Sequence, residues 1–204
     1  MTAPEPGTYW QHWYTIVEDS RGLRQGDILR NLTVALLPGD LADLPQQPTA
    51  TPTIRLDLAL GDWIVLSASC DVDERKADGQ VLLAHVLPTT EKTLGASGAK
   101  DLKEKQEVIR RGWDPTRFLL APCLGITPEL PLSFTQYRTQ ALMPLAYLRR
   151  QCATPRIRMK PPFREKFAVW AGAALARVGI EDAENIPPFV SSIYAAHILR
   201  AGET

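Results

Sequence analysis

The chain has 204 residues, 45% of them hydrophobic and 23% charged, which is the profile of a folded globular protein and not of a disordered one. Lys plus Arg and Asp plus Glu both number 23, so no net field draws the whole molecule to nucleic acid or to an anionic membrane. Any such binding needs a local patch.

At this length one core with appendages buries roughly 70% of the extended-chain surface. The cysteines, Cys70, Cys123 and Cys152, are odd in number and lack CxxC spacing. That argues against a disulfide framework or a zinc knuckle and for a reducing cytoplasm. The opening MTAPEPGTYWQHWY lacks the basic start and apolar run of a signal peptide, and no stretch is long and apolar enough to span a bilayer. No membrane association and no cofactor are expected. Asn31-Leu32-Thr33 matches a glycosylation acceptor, which in a strand of a chain without an export signal reads as chance.

In chain order, residues 1–23 read as an aromatic arm (Tyr9, Trp10, Trp13, Tyr14) packed back on the core. Gln25-Gly26-Asp27 reads as a turn, with Asp27 as a turn former. Ile28 to Leu37 follows as a strand, and a Pro-, Gln- and Thr-rich loop runs to Pro52. Ile54, Leu56, Leu58 and Leu60 then alternate with Arg55, Asp57 and Ala59, the period of a strand with its leucine face buried. Gly61-Asp62 has the composition of a two-residue hairpin turn, so Thr53 to Cys70 is predicted as a β-hairpin whose second strand, from Trp63, is covered on both faces. Gln80 to Leu87 is a third strand stopped by Pro88.

Ser97 to Arg111 is polar and helix-favouring, leaning on Leu102, Val108 and Ile109 and closed by Gly112. Short strands are expected at Arg117 to Ala121 and Leu132 to Thr139, and a turn or two of helix at Leu145 to Arg150. Pro161-Pro162 opens the best helix, with Phe163, Phe167, Trp170, Ala174 and Val178 on one side before Gly179. A second helix is predicted from Pro188 to Arg200. The predicted class is α+β.

Four pieces carry a family resemblance: Gln25-Gly26-Asp27-Ile28-Leu29, Trp63-Ile64-Val65-Leu66-Ser67, Gln80 to Thr90, and Leu132 to Leu148 with Gln136-Tyr137-Arg138-Thr139. In this order they resemble the PemK/MazF-type toxins. The resemblance implies a small SH3-like antiparallel β-barrel over residues 24–150, with a helical insertion near 97–111 and a C-terminal helical extension at 151–204. Those toxins cleave single-stranded RNA with an Arg from the loop after the first strand and a Thr after an apolar strand. Here Thr90 stands in the Thr position, and Arg55 or Arg30 is the candidate Arg. The family's Arg-Pro before the Val-Val-Leu-Ser strand is replaced by Gly61-Asp62. The resemblance therefore implies a degenerate binding module for protein or nucleic acid, in a bacterial defence or mobile-element system. The alternative is an active endoribonuclease. A protein partner or homo-oligomer is expected, and RNA is a candidate ligand.

Two further constellations compete with ordinary structure. Cys70-Asp71 ends one apolar strand and His85 lies on the next, an arrangement that could serve a Cys-dependent hydrolase but better suits a packed thiol and a core histidine. Arg149, Arg150, Arg156, Arg158, Lys160, Arg164 and Lys166 form a basic run suited to phosphates, with Phe163 or Tyr147 for stacking, or else a solvated face. Asp71, Asp73 and Glu74 lack the pattern of a calcium loop, and no metal is expected.

Overall fold

The computed structural model describes residues 9–18, 22–36, 57–69, 72, 79–125, 127–151 and 155–176. A 3-10 turn at Tyr9–His12 leads into β1 (Tyr14–Val17), followed by β2 (Asp27–Leu36), β3 (Asp57–Val65), β4 (Gln80–Pro88), α1 (Glu91–Leu94), α2 (Ala99–Arg110), β5 (Arg117–Leu120), β6 (Ser133–Pro144), α3 (Leu145–Gln151), β7 (Arg156–Met159) and α4 (Phe163–Ala176). The strands form one seven-stranded antiparallel sheet in the order β1-β7-β2-β3-β4-β6-β5. The α+β class is thus observed.

Among the described residues β1 and β5 are the two edges of the sheet, and no ladder joins them. One side-chain bond does: the Tyr14 hydroxyl on β1 donates to the carbonyl of Ala121, one residue past β5, at 3.0 Å. Both residues are buried, so the sheet curls enough to bring its edges together. β1 and β7 are strands of this common sheet, so the described parts of residues 1–23 and 151–204 share a core with the middle of the chain.

The predicted hairpin is not formed. β3 runs without a break through Gly61-Asp62, pairing with β2 from Asp57 to Ile64 and with β4 from Asp62 to Val65. Gly61 is present for a close approach, because a Cβ there would stand 2.8 Å from Nε2 of His85 on β4. Asp62 faces a bulge in β2, where Arg30 and Asn31 together oppose this single residue. Its carboxylate accepts the Asn31 backbone N–H at 3.1 Å and pairs with Arg30 Nε at 2.8 Å. Asn31 takes the left-handed conformation (φ 52) that the bulge requires and that Asn tolerates better than most residues.

Continuity also inverts the buried face of the strand. Ala59 lies on the side of Trp63 and Val65 and packs on their cluster, whereas Leu58 and Leu60 are 74% and 70% exposed. Residues 53–56 and Cys70 lie outside the described residues.

Each face of the sheet carries its own core. On one, Ile28, Ile64, Ala84, Val86 and Ile157 pack under Phe167, Trp170 and Ala171 of α4. On the other, Leu29, Leu32, Trp63, Val65 and Leu83 meet Leu145 and Leu148 of α3. α2 docks by Leu102 and Ile109 with Phe134 of β6, leaving Val108 exposed, and ends as predicted. Gly112 N–H returns to Ile109 O at 2.9 Å and Trp113 N–H to Val108 O at 3.0 Å, with Gly112 at φ 71. Residues 188–200, predicted as a second helix, lie outside the described residues.

Candidate functional site

β7 is one of the elements that the sequence reading missed, with β1 and α1, and it divides the basic run. Arg156 and Arg158 are 1% and 8% exposed and converge on Asp27, at the first residue of β2. Arg156 Nε donates to Asp27 Oδ2 at 3.0 Å, and Arg158 Nε donates to Oδ1 at 2.7 Å. Both arginines also reach the Gly22 carbonyl. Arg156 and Arg158 are therefore removed from the list of phosphate contacts. β7 lies between β1 and β2, so both of its edges are paired, and all four of its residues are buried.

Asp27 is likewise more than a turn former. Its Oδ2 accepts the Arg24 N–H at 3.1 Å while its own N–H donates to the Arg24 carbonyl at 3.0 Å, closing a four-residue turn with Gly26 at φ 81. The buried carboxylate ties β7 to this turn.

The remaining cations separate by sheet face. Arg149 and Arg150 belong to α3, where the Arg150 guanidinium lies 6.0 Å above the Tyr147 ring. Lys160, Arg164 and Lys166 gather around the start of α4 on the opposite face. Lys160 Nζ donates to the Gln11 carbonyl at 2.9 Å, and Lys166 Nζ stands 5.7 Å above the Phe163 ring, which stacks on Trp13 at 3.8 Å.

Beside this basic end lies a cleft of about 410 Å³, lined by Arg24, Gln25, Ser69, Arg164, Glu165 and Ala168. The turn is fastened to the exit of β3. Gly26 N–H donates to Val65 O, Gln25 Nε2 to Leu66 O at 2.8 Å, and Gln25 N–H to Ser69 Oγ at 3.2 Å. Arg164 Nη2 donates to Glu165 at 2.9 Å. Arg24 is exposed and makes no ion pair among the described residues.

Of the catalytic candidates among the described residues, Thr90, Arg30 and His85 do not line this cleft. Thr90 is the N-cap of α1: its Oγ1 accepts the Thr93 N–H at 3.2 Å, while Thr93 Oγ1 accepts the Thr90 N–H at 2.9 Å. Arg30 is held by Asp62. His85 stacks on Trp63 with ring centroids 4.8 Å apart, and burial lowers its pKa against a smaller opposing pull from Asp62. It sits opposite the bulged Gln136-Tyr137-Arg138-Thr139 segment of β6, where Thr135 Oγ1 donates to the His85 carbonyl at 3.0 Å.

Arg55, Cys70, Asp71, Asp73 and Glu74 lie outside the described residues. Cys123 is a buried thiol, its pKa pushed up to about 11 by burial. Among the described residues no group of three or more His, Cys, Asp or Glu side chains is placed to hold a metal, and no helix is long and apolar enough to cross a membrane.

The sequence reading picked out Arg164 but missed Arg24, Gln25 and Ser69. Their only signal was the turn composition of Gln25-Gly26-Asp27. Comparison with known protein families, with curated proteins and with solved structures gives no match.

Proposed function

We propose that this chain is a non-catalytic, PemK/MazF-like binding module on an SH3-like curled sheet, and that its ligand is single-stranded nucleic acid. The observation that carries the reading is the gathering of Lys160, Arg164 and Lys166 around the start of α4, beside the stacked Trp13 and Phe163. Clustered cations with adjoining aromatics are the chemistry of a phosphate-tracking surface. The Tyr14 to Ala121 bond supports the barrel-like curl. A role in bacterial defence or a mobile element is part of the same proposal and rests on the family resemblance.

Binding is favoured over RNA cleavage because Thr90 is engaged as a helix cap and Arg30 is paired with Asp62. The test is retention of a single-stranded RNA oligonucleotide at two salt concentrations, with RNA integrity followed on a gel. Salt-sensitive retention of uncut RNA, weakened by Lys160→Ala/Lys166→Ala, is expected. Retention that does not change with salt would remove the reading, and cut RNA would restore the ribonuclease alternative.

A second reading, a protein partner or a second copy of the chain, is favoured by Leu58 and Leu60, which share one uncovered face of β3. Light scattering across protein concentration, for the wild type and for Leu58→Glu/Leu60→Glu, tests self-association. A mass that stays monomeric throughout excludes the second copy.

A further inference from the structure

We infer that the cleft between the Arg24–Asp27 turn and α4 is a phosphate subsite that receives one phosphate of a nucleotide, with Arg24 as its principal cation. The inference rests on the nucleic-acid reading above and names the place where a strand or nucleotide is gripped.

Donors converge on the cleft from three separate parts of the chain. Arg24 comes from the turn before β2, Ser69 from the exit of β3, and Arg164 from the first turn of α4. The volume, about 410 Å³, accommodates a ligand of mononucleotide size.

The hydrogen bonds within the wall leave these donors available. Ser69 Oγ accepts from the Gln25 N–H, so its own O–H is left to donate. The Gln25 amide spends its NH2 on the Leu66 carbonyl and so fixes the wall. Arg164 shares its charge with Glu165, which makes it the weaker cation for a phosphate. Arg24 has no such partner among the described residues, and its guanidinium offers the fork geometry that matches two phosphate oxygens.

The Arg24 backbone is in turn held by Asp27, itself clamped by Arg156 and Arg158. The buried pair thus places the turn, while the exposed side chain is left to meet the ligand.

The experiment uses the full chain as wild type, Arg24→Ala and Arg24→Lys, with thermal midpoints confirming that the variants fold. Each is titrated with a single-stranded RNA oligonucleotide at several salt concentrations, and by calorimetry with adenosine 5′-monophosphate and with adenosine. Arg24→Ala is expected to weaken RNA binding at least about tenfold, as loss of a charge-assisted contact does, and to flatten the salt slope by about 0.7, the value for one phosphate on a single strand. Arg24→Lys, which keeps the charge but not the fork, should fall between. The monophosphate should bind the wild type more tightly than adenosine, and Arg24→Ala should abolish that preference.

If Arg24→Ala binds RNA with wild-type affinity and slope, the subsite is overturned while the nucleic-acid reading stands. If the wild type shows no salt-sensitive RNA binding, that reading fails and the calorimetric arm decides the cleft alone. A monophosphate preference that depends on Arg24 then upholds a site for free nucleotide, and no preference overturns it.

Discussion

The imidazole of His85 fills the space in which a side chain on Gly61 would stand, since an added Cβ would lie 2.8 Å from Nε2. The ring has little freedom to swing away, because its face rests on Trp63. Gly61→Ala should therefore cost about 1–3 kcal/mol, the usual penalty of overpacking. Denaturant midpoints for Gly61→Ala, His85→Ala and the double variant test this. The double variant should recover much of the loss, and strict additivity of the two single effects would show that the contact is not the cause.

Asp27 anchors the turn and two strands at once. Asp27→Asn keeps the shape of the side chain but leaves two buried guanidiniums facing an amide, and should destabilise the protein by about 3–5 kcal/mol. Urea unfolding measures it. A loss below about 1 kcal/mol would show that other partners carry the arginines.

Tyr14→Phe deletes the hydroxyl that links β1 to the segment after β5. The buried Ala121 carbonyl then loses its donor, for an expected loss of about 1–2 kcal/mol. Amide exchange should quicken in β1 and β5 together. An effect confined to β1 would mean that the two edges are not coupled through this bond.

Stability should also fall with pH in the range where histidine titrates. His85 has its pKa lowered by burial, so below its ordinary value of 6.5 the unfolded chain takes up the proton before the folded one does. That contribution is full above pH 6.5 and is lost as pH falls through the folded value. Urea unfolding at pH 7.5 and 5.5 should show a larger decrease for the wild type than for His85→Gln. Equal decreases would assign the pH effect to other groups. Glu107, its pKa lowered to about 2 by hydrogen bonds from Arg110 and Arg111, acts only at more acidic pH.

Elements with local signals were legible in the sequence. The close of α2 at Gly112, the stop of β4 at Pro88 and the apolar side of α4 each depend on residues a few positions apart. The site was legible only in part. Arg164 was visible in the basic run, but Arg24 and Ser69 enter the cleft because the turn before β2 is bonded to the exit of β3, across 44 residues in the case of Gln25 and Ser69.

The α+β class, the close of α2 and the start of α4 follow from the sequence itself, because caps, breakers and apolar periodicity act over one or two turns of chain. Tertiary structure alone decided what Gly61-Asp62 does, since the dipeptide suits a tight turn and a close crossing equally well. The bulge in β2 and the ring of His85 selected the crossing. It likewise decided that Arg156 and Arg158 face a carboxylate 129 and 131 residues away and not solvent. A charge run carries no mark of which of its members will find a buried partner, because that partner is supplied by the fold.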